Sequence, residues 1–186
     1  MTELSPGLRE ALTDSPALGP DADPIEAFVE RARSAGVQIY PVDEGGDRDA
    51  VVGEILASID PADIALSSDP EARQACLYFG AGAVSGSTDQ AVLERCAVGV
   101  TRARAAVADL GAVVLERDAD EHRLGTLVPE VFIALVDRAD VVRRLGDVRS
   151  DSAAERLAYV VGPGRAGSHD PLVRSPSEVH VVLFDA

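Results

Sequence analysis

The chain contains no lysine and only two cysteines, and each scarcity limits what the protein can be. All 17 basic residues are arginine, which fits either a GC-rich genome or a salt-adapted cytoplasm. Cys76 and Cys96 cannot supply the four thiolates that hold an iron–sulfur cluster. Neither belongs to a CxxC pair and both lie in apolar patterns, so we predict buried free thiols in a reducing cytosol.

Long apolar runs and a basic leader are also missing. The longest apolar runs, such as HVVLFDA at the end, are too short to cross a bilayer, so no membrane insertion is expected. The first residues lack a basic start followed by an apolar stretch, which predicts a cytoplasmic protein. The net charge of −15 repels phosphate backbones and anionic membranes. We therefore expect no nucleic acid partner.

The 186 residues are enough for one domain with a sizeable core. Residues 1–22 are rich in Pro, Asp, Ser and Gly, which predicts a loosely ordered N-terminal arm. An ordered domain over residues 23–186 begins with Asp23 as helix cap and Pro24 in the first turn.

Short apolar segments alternate with helical patterns along this domain. Helices are predicted over 23–36, 47–59, 69–80, 87–96, 102–108 and 139–148. Strands are predicted over 37–42, 63–68, 82–86, 97–101, 112–116, 131–137, 158–164 and 178–186. This alternation is typical of an α/β fold. We predict a single domain with a mainly parallel, Rossmann-like sheet that helices cover on both faces.

Ligands in open parallel sheets bind at the carboxyl ends of the strands, and the first candidate there is the segment 98–102. Gly99 and Thr101 lie where the predicted strand meets a predicted helix, whose first N–H groups favour an anion. The alternative is a tight strand–helix turn with Thr101 as the helix cap.

The turn at residues 108–111 is the second candidate. Asp109 could act as a catalytic base or nucleophile, or orient a ligand beside Gly111. The alternative is an Asx-type turn in which Gly111 supplies a positive φ angle.

The long loop over 162–178 is the third candidate. Its glycines, with Gly162 and Pro163 at the start, allow close approach to a ligand, and Arg165 could bind a carboxylate or phosphate. His169 lies beside Asp170 and could orient a ligand or act in catalysis. The alternative is a loop that is merely mobile.

Common site motifs are absent from the sequence. There is no Walker loop, no GxGxxG fingerprint, no GxSxG elbow and no HExxH or HxH pair. His122 lies in a charged turn, and His180 alternates with valines as a satisfied sheet histidine would. The sequence therefore predicts no metal site and no cofactor held by this chain.

Several segments, in order, resemble the LUD domain family of lactate-utilisation proteins. The most specific is AVGVTRARAAVADLGAVVLE, which is similar to the family's Gly-Val-Thr, Asp/Glu-Thr-Gly turn and following strand. The other matching segments are 27–42, 123–137, 158–165 and 178–185. The resemblance implies a fold related to ribose-5-phosphate isomerase and coenzyme A-transferases. It also implies a part in L-lactate oxidation to pyruvate, together with iron–sulfur partner proteins.

The chain departs from the family pattern at loops expected to line a site. The turn reads Asp109-Leu110-Gly111 without the usual threonine, and Glu130 and Phe132 replace a proline and a histidine. Three hypotheses follow: an accessory protein of lactate oxidation, an independent binder or enzyme for a small anionic ligand, and a non-catalytic divergent member. The anionic ligand would be a carboxylate, a sugar phosphate or a coenzyme A-linked molecule.

Overall fold

Aspartates cap three of the four helices in the described residues, and the sequence predicts this for Asp23. The computed structural model describes residues 18–77, 82–85, 90–116, 127–148, 158–161 and 176–185. The helices are α1 (Pro24–Ser34), α2 (Arg48–Ile59), α3 (Pro70–Ala75) and α4 (Gln90–Leu93). The carboxylates of Asp23, Asp47 and Asp69 accept hydrogen bonds from the first backbone N–H groups of α1, α2 and α3. These caps satisfy donors that have no partner inside the helix.

In the described residues, ten strands form two sheets. In chain order they are β1 (Gln38–Pro41), β2 (Asp63–Leu66), β3 (Gly82–Ser85), β4 (Val98–Arg102), β5 (Ala105–Val107), β6 (Ala112–Glu116), β7 (Val131–Asp137), β8 (Val141–Val142), β9 (Ala158–Val161) and β10 (Glu178–Phe184). The central sheet has six strands in the order β1-β10-β7-β4-β2-β3, and all its pairings are parallel. The predicted mainly parallel α/β fold is confirmed.

The second sheet has four strands in the order β8-β5-β6-β9. Strand β6 pairs antiparallel with β5 and with β9, whereas β5 and β8 are parallel. The sequence pattern does not predict this sheet as a separate layer.

The core lies on both faces of the central sheet. On one face, Phe132 and Val181 pack with Phe28 of α1 and with Leu115 of the second sheet. On the other face, β7 and β10 pack against α2 and α3 through residues such as Leu56. Both cysteines are buried, as predicted. Helices therefore cover both faces of the sheet.

Two predicted helices are wrong. Residues 102–108 end β4 and form β5, because Ala105–Val107 pair with β6 and β8 and are buried on all sides. Alanine favours a helix in isolation, but tertiary packing overrides so weak a preference. Residues 139–148 form the short strand β8 between two 3-10 turns, Arg138–Asp140 and Leu145–Asp147.

The end of the predicted N-terminal arm contacts the domain. Leu18 packs against the core, and Arg143 donates hydrogen bonds to the carbonyl groups of Gly19 and Ala22. The residues before 18 lie outside the described ranges. In the described part of the chain, no helix is long and apolar enough to span a membrane.

Candidate functional site

A network of charged side chains lies at the carboxyl end of the central sheet. Strands β4 and β7 end at Arg102 and Asp137, next to each other in the sheet. Helices α2 and α3 begin close by, and they contribute Arg48, Asp49 and Glu71. This end of a parallel sheet is where ligands bind in open α/β folds. We call this group, with Asp140, the strand-end network.

Arg102 is the centre of the strand-end network. Its Nη1 donates to Glu71 Oε1 at 2.6 Å, and its Nη2 lies 3.4 Å from Asp140 Oδ2 and 3.8 Å from Asp137 Oδ2. The Arg102 and Glu71 side chains are each 29% exposed. The guanidinium thus joins β4, α3 and the turn after β7.

Arg48 pairs with the other oxygen of the same glutamate. Its Nη1 donates to Glu71 Oε2 at 3.1 Å, and its Nε donates to Asp49 Oδ1 at the same distance. The guanidinium carbon lies 4.7 Å from the centre of the Phe184 ring, a favourable cation–π contact. Each oxygen of Glu71 therefore binds a different arginine.

Local structure fixes the position of Glu71. The Asp69 carboxylate accepts hydrogen bonds from the N–H groups of Glu71 and Ala72, at 2.9 and 3.2 Å. Ser67 is fully buried at the end of β2, and its Oγ accepts a hydrogen bond from the Asp69 N–H at 3.4 Å. A serine at a strand end followed by a capped helix thus positions the carboxylate.

The chemistry of the strand-end network is that of exchangeable ion pairs. Arginine presents a planar fork of donors that suits carboxylates and phosphates. Both guanidinium groups already bind carboxylates of the chain itself, and two arginines face four carboxylates. An anionic ligand would therefore have to displace Glu71 or another of these carboxylates.

The structure places Gly99 and Thr101 inside β4 instead of before a helix. Gly99 pairs with Ala65 and Phe132 of the neighbouring strands. Thr101 is fully buried, and its hydroxyl lies 3.4 Å from the carbonyl oxygen of Arg102. The predicted helix start beside them is wrong, so it offers no N–H groups to an anion.

Asp109 and Gly111 lie together in the turn between β5 and β6, as predicted. Gly111 has a φ angle of +60°, and a Cβ there would lie 2.7 Å from the backbone nitrogen of Ala32 in α1. Arg31 donates a hydrogen bond to the Asp109 carbonyl oxygen. The Asp109 N–H donates to the Arg143 carbonyl oxygen at 3.0 Å. These contacts support the turn interpretation of both residues.

The Asp109 carboxyl group is unusual within that turn. Its Oδ1 is buried and has no hydrogen-bond partner. Burial raises the pKa of the carboxyl group, and the positive charges of Arg31 and Arg144 partly oppose this rise. A catalytic role for Asp109 remains a prediction.

The four remaining predicted site residues lie outside the described ranges. These are Gly162, Pro163, Arg165 and His169. No side chain of the strand-end network was named as a candidate from the sequence, although Arg102 lies at the end of the candidate segment 98–102. A signal was present, because Arg102 and Asp137 are charged residues that directly end apolar strands, and the aspartate caps locate the starts of α2 and α3.

The described residues contain no cluster of metal ligands, and the pKa of each cysteine thiol is raised by burial. No group of three or more His, Cys, Asp or Glu side chains is placed there to hold a metal ion. Burial, with a smaller effect from Asp49, raises the pKa of the Cys76 thiol to about 12. This thiol is therefore protonated at neutral pH and is a poor nucleophile.

The fold and the charged strand ends define an open α/β protein with a mainly parallel central sheet. Residues 87–184 match the family model described as the LUD domain. This stretch is more than half of the chain, so the protein belongs to the LUD domain family. The family resemblance found in the sequence is confirmed.

Two relatives extend this assignment. Over 92 residues the chain is 33% identical to "Lactate utilization protein C" of Macrococcus caseolyticus (strain JCSC5402). The aligned stretch covers 50% of this chain and 38% of that relative. The crystal structure of a DUF162 family protein from Deinococcus radiodurans has a TM-score of 0.68 and 19% sequence identity. That match covers 87% of this chain and 96% of the other, and it confirms the fold.

Proposed function

We propose that this protein acts in lactate utilisation, as an accessory component of L-lactate oxidation to pyruvate. The observation that supports the proposal is the 33% identity over 92 residues to a relative named lactate utilization protein C. The aligned stretch is 38% of that relative, so we assign the role of the relative to this chain only as a proposal.

An accessory role agrees with the chemistry of the chain. Oxidation of lactate to pyruvate removes two electrons, and a protein alone needs a redox group for that step. The two cysteines are too few for an iron–sulfur cluster. We propose that iron–sulfur partner proteins accept the electrons, while this chain binds to them in the cytoplasm.

Deletion of the gene tests this function. The expected result is slow growth and low lactate consumption on L-lactate as sole carbon source, with normal growth on glucose. The intact gene restores growth on lactate. Normal growth of the deletion strain on both carbon sources would contradict the proposal, as would failure to bind any iron–sulfur protein encoded alongside.

A second candidate function is the binding of a small anionic ligand at the strand-end network. Two arginines meet at one glutamate there, at the end of the sheet where ligands bind in this class of fold. A carboxylate or phosphate could replace Glu71 as the partner of Arg48 and Arg102. The ligand would be a carboxylate, a sugar phosphate or a coenzyme A-linked molecule.

A thermal-shift screen across such anions tests the second candidate. A ligand at a hundred times its Kd stabilises the folded state by about 2.7 kcal/mol. Arg102→Gln should abolish the shift, whereas Arg33→Gln on the exposed face of α1 should retain it. A screen without any shift would favour the third hypothesis, a divergent member that binds no small anion.

A further inference from the structure

A buried histidine lies between the edge strand β1 and its neighbour β10. His180 is 3% exposed, and the parallel register pairs it with Gln38. The Tyr40 ring stacks on the imidazole, with centroids 5.7 Å apart and an angle of 22° between the planes. We call these three residues, with Glu178, the His180 cluster.

The polar contacts of the His180 cluster run between the two strands. Nδ1 of His180 lies 3.2 Å from the Tyr40 hydroxyl, which donates to Gln38 Oε1 at 2.9 Å. Gln38 Nε2 donates to Glu178 Oε1 at 2.6 Å. The side chains of β1 thus cover the histidine and bind its carboxylate neighbour.

The second nitrogen of His180 lacks an aligned partner. Nε2 lies 3.0 Å from Glu178 Oε1, close enough for an ion pair, yet it is buried without a hydrogen bond. The two atoms are close enough for a hydrogen bond, but the imidazole N–H does not point at the carboxylate oxygen. A hydrogen bond with such poor alignment is weak. The Glu178 side chain is also 46% exposed, so water screens its charge.

The other groups around the imidazole provide little compensation for a charge. On β7 its register partner is Ile133, and the buried residues that α2 packs on this face are apolar, namely Val52, Ile55 and Leu56. In the described part of the chain, Glu178 is the charged group that acts on the ring. Burial lowers the pKa of His180, and Glu178 only partly offsets this effect.

We propose that His180 is an acid-sensitive release for the edge strand β1. A proton on the imidazole creates a charge under Tyr40, where water cannot reach it and Glu178 is misaligned. Movement of β1 away from β10 hydrates that charge. Strand β1 is at the edge of the sheet, so its movement would break its own pairing with β10 and leave the central pairings intact.

Thermodynamic linkage gives the size of the response. The opened state takes up a proton near the ordinary pKa of 6.5, whereas the folded state does so at lower pH. Between these two values one proton favours opening, so the opening constant rises by at most about tenfold per pH unit.

Hydrogen exchange of the full chain at pH 7.5 and 5.5 tests the release. The probe is the Val42 amide at the end of β1, which donates to the Leu183 carbonyl at 2.8 Å. The reference is the Ala103 amide, which donates to Leu135 in the middle of the sheet at 2.8 Å. After correction for the intrinsic exchange rate, Val42 should open several-fold more often at pH 5.5 while Ala103 is unchanged. An unchanged ratio would overturn the proposal.

Two further measurements separate the histidine from other titrating groups. His180→Gln should remove the pH response of the Val42 amide. Tyr40→Phe keeps the aromatic ring over the imidazole, so this variant should keep the pH response. An NMR titration of the imidazole in the unaltered protein does not depend on any variant folding. It should show His180 titrating below pH 6.5, and titration at or above that value would overturn the proposal.

Discussion

The turn at Asp109–Gly111 and the strand-end network are the two described regions that could hold a ligand, and different forces hold them. Backbone shape fixes the turn, because Gly111 has a positive φ angle and lies against the backbone of α1. Paired charges fix the network, whose side chains are between 13% and 32% exposed. The turn should therefore tolerate no added atom, and the network should tolerate changes of shape better than changes of charge.

This difference bears on where a ligand could bind. A turn that is packed against a helix backbone leaves little space for another molecule. Partly exposed ion pairs contribute little net stability, so a ligand that replaces one partner loses little. The strand-end network is therefore the better candidate for a binding site, and Asp109 is better explained by the structure of the turn.

The largest expected effect is at Gly111. A Cβ there would lie 2.7 Å from Ala32 N and 2.8 Å from the Arg31 carbonyl carbon, and both are backbone atoms that cannot easily move. A left-handed conformation costs a non-glycine residue roughly 1–2 kcal/mol, and overpacking costs roughly 1–3 kcal/mol. Gly111→Ala should therefore lower the free energy of unfolding by about 2–5 kcal/mol, measured by urea denaturation.

Gly53→Ala is the matched control for this substitution. Gly53 lies within α2, and a Cβ there would have no neighbour within 4 Å. Alanine favours a helix over glycine, so this variant should gain about 0.5–1 kcal/mol. A loss below 1 kcal/mol for Gly111→Ala would mean that the turn moves easily away from α1, and the contrast between the two regions would fail.

The second largest effect on stability is expected for a substitution of Glu71, and it should depend on the salt concentration. Glu71→Gln removes the charge that both Arg48 and Arg102 bind. Because these side chains are partly exposed, the loss of stability should be about 1 kcal/mol at low salt. It should nearly vanish at about 1 M salt, where the screening length is ~3 Å. Urea denaturation at both salt concentrations measures the difference.

Glu54→Gln makes the same chemical change at an exposed position of α2. It should change stability by less than about 0.5 kcal/mol at either salt concentration. If Glu71→Gln were as costly in high salt as in low salt, its hydrogen bonds rather than its charge would hold the network.

The sequence predicts the central sheet well because local signals agree with tertiary structure there. Asp23 marks the start of α1, and β7 and β10 are apolar runs long enough to be buried strands. The prediction for residues 102–108 fails because the helix preference of their alanines is weaker than the tertiary packing of the segment. Its pairing with β6 and β8 decides its structure, and single-sequence patterns do not contain that pairing.

The candidate site shows the same difference between residues with a local sequence signal and residues placed by long-range contacts. Asp109 and Gly111 were found because a turn has a local signature. The contact between Arg102 and Glu71 joins residues 31 positions apart, and Arg102 and Asp140 are 38 apart. Such contacts follow from the order of strands in the sheet, so the sequence could locate the strand ends but not their partners.

The smallest expected effect is at Asp109, and its sign depends on pH. The pKa of this carboxyl group is raised in the folded protein from its ordinary value of 3.8. Its contribution to stability is therefore present below pH 3.8 and is lost as the pH rises through the folded value. At pH 7 the charged group costs the folded state some stability. Asp109→Asn removes that cost, so it should gain a few tenths of a kcal/mol at pH 7 and progressively less toward pH 4.

Asp43→Asn in the exposed loop after β1 makes the same chemical change away from the turn. Urea denaturation of both variants and the unaltered protein between pH 4 and 7 isolates the effect of burial at Asp109. A loss of stability at pH 7 would mean that the charged carboxylate holds the turn. Normal growth on lactate with Asp109→Asn would exclude a catalytic carboxylate at this position. If Asp109→Asn is as stable as the unaltered protein but grows poorly on lactate, Asp109 becomes a better candidate for a catalytic residue than the strand-end network.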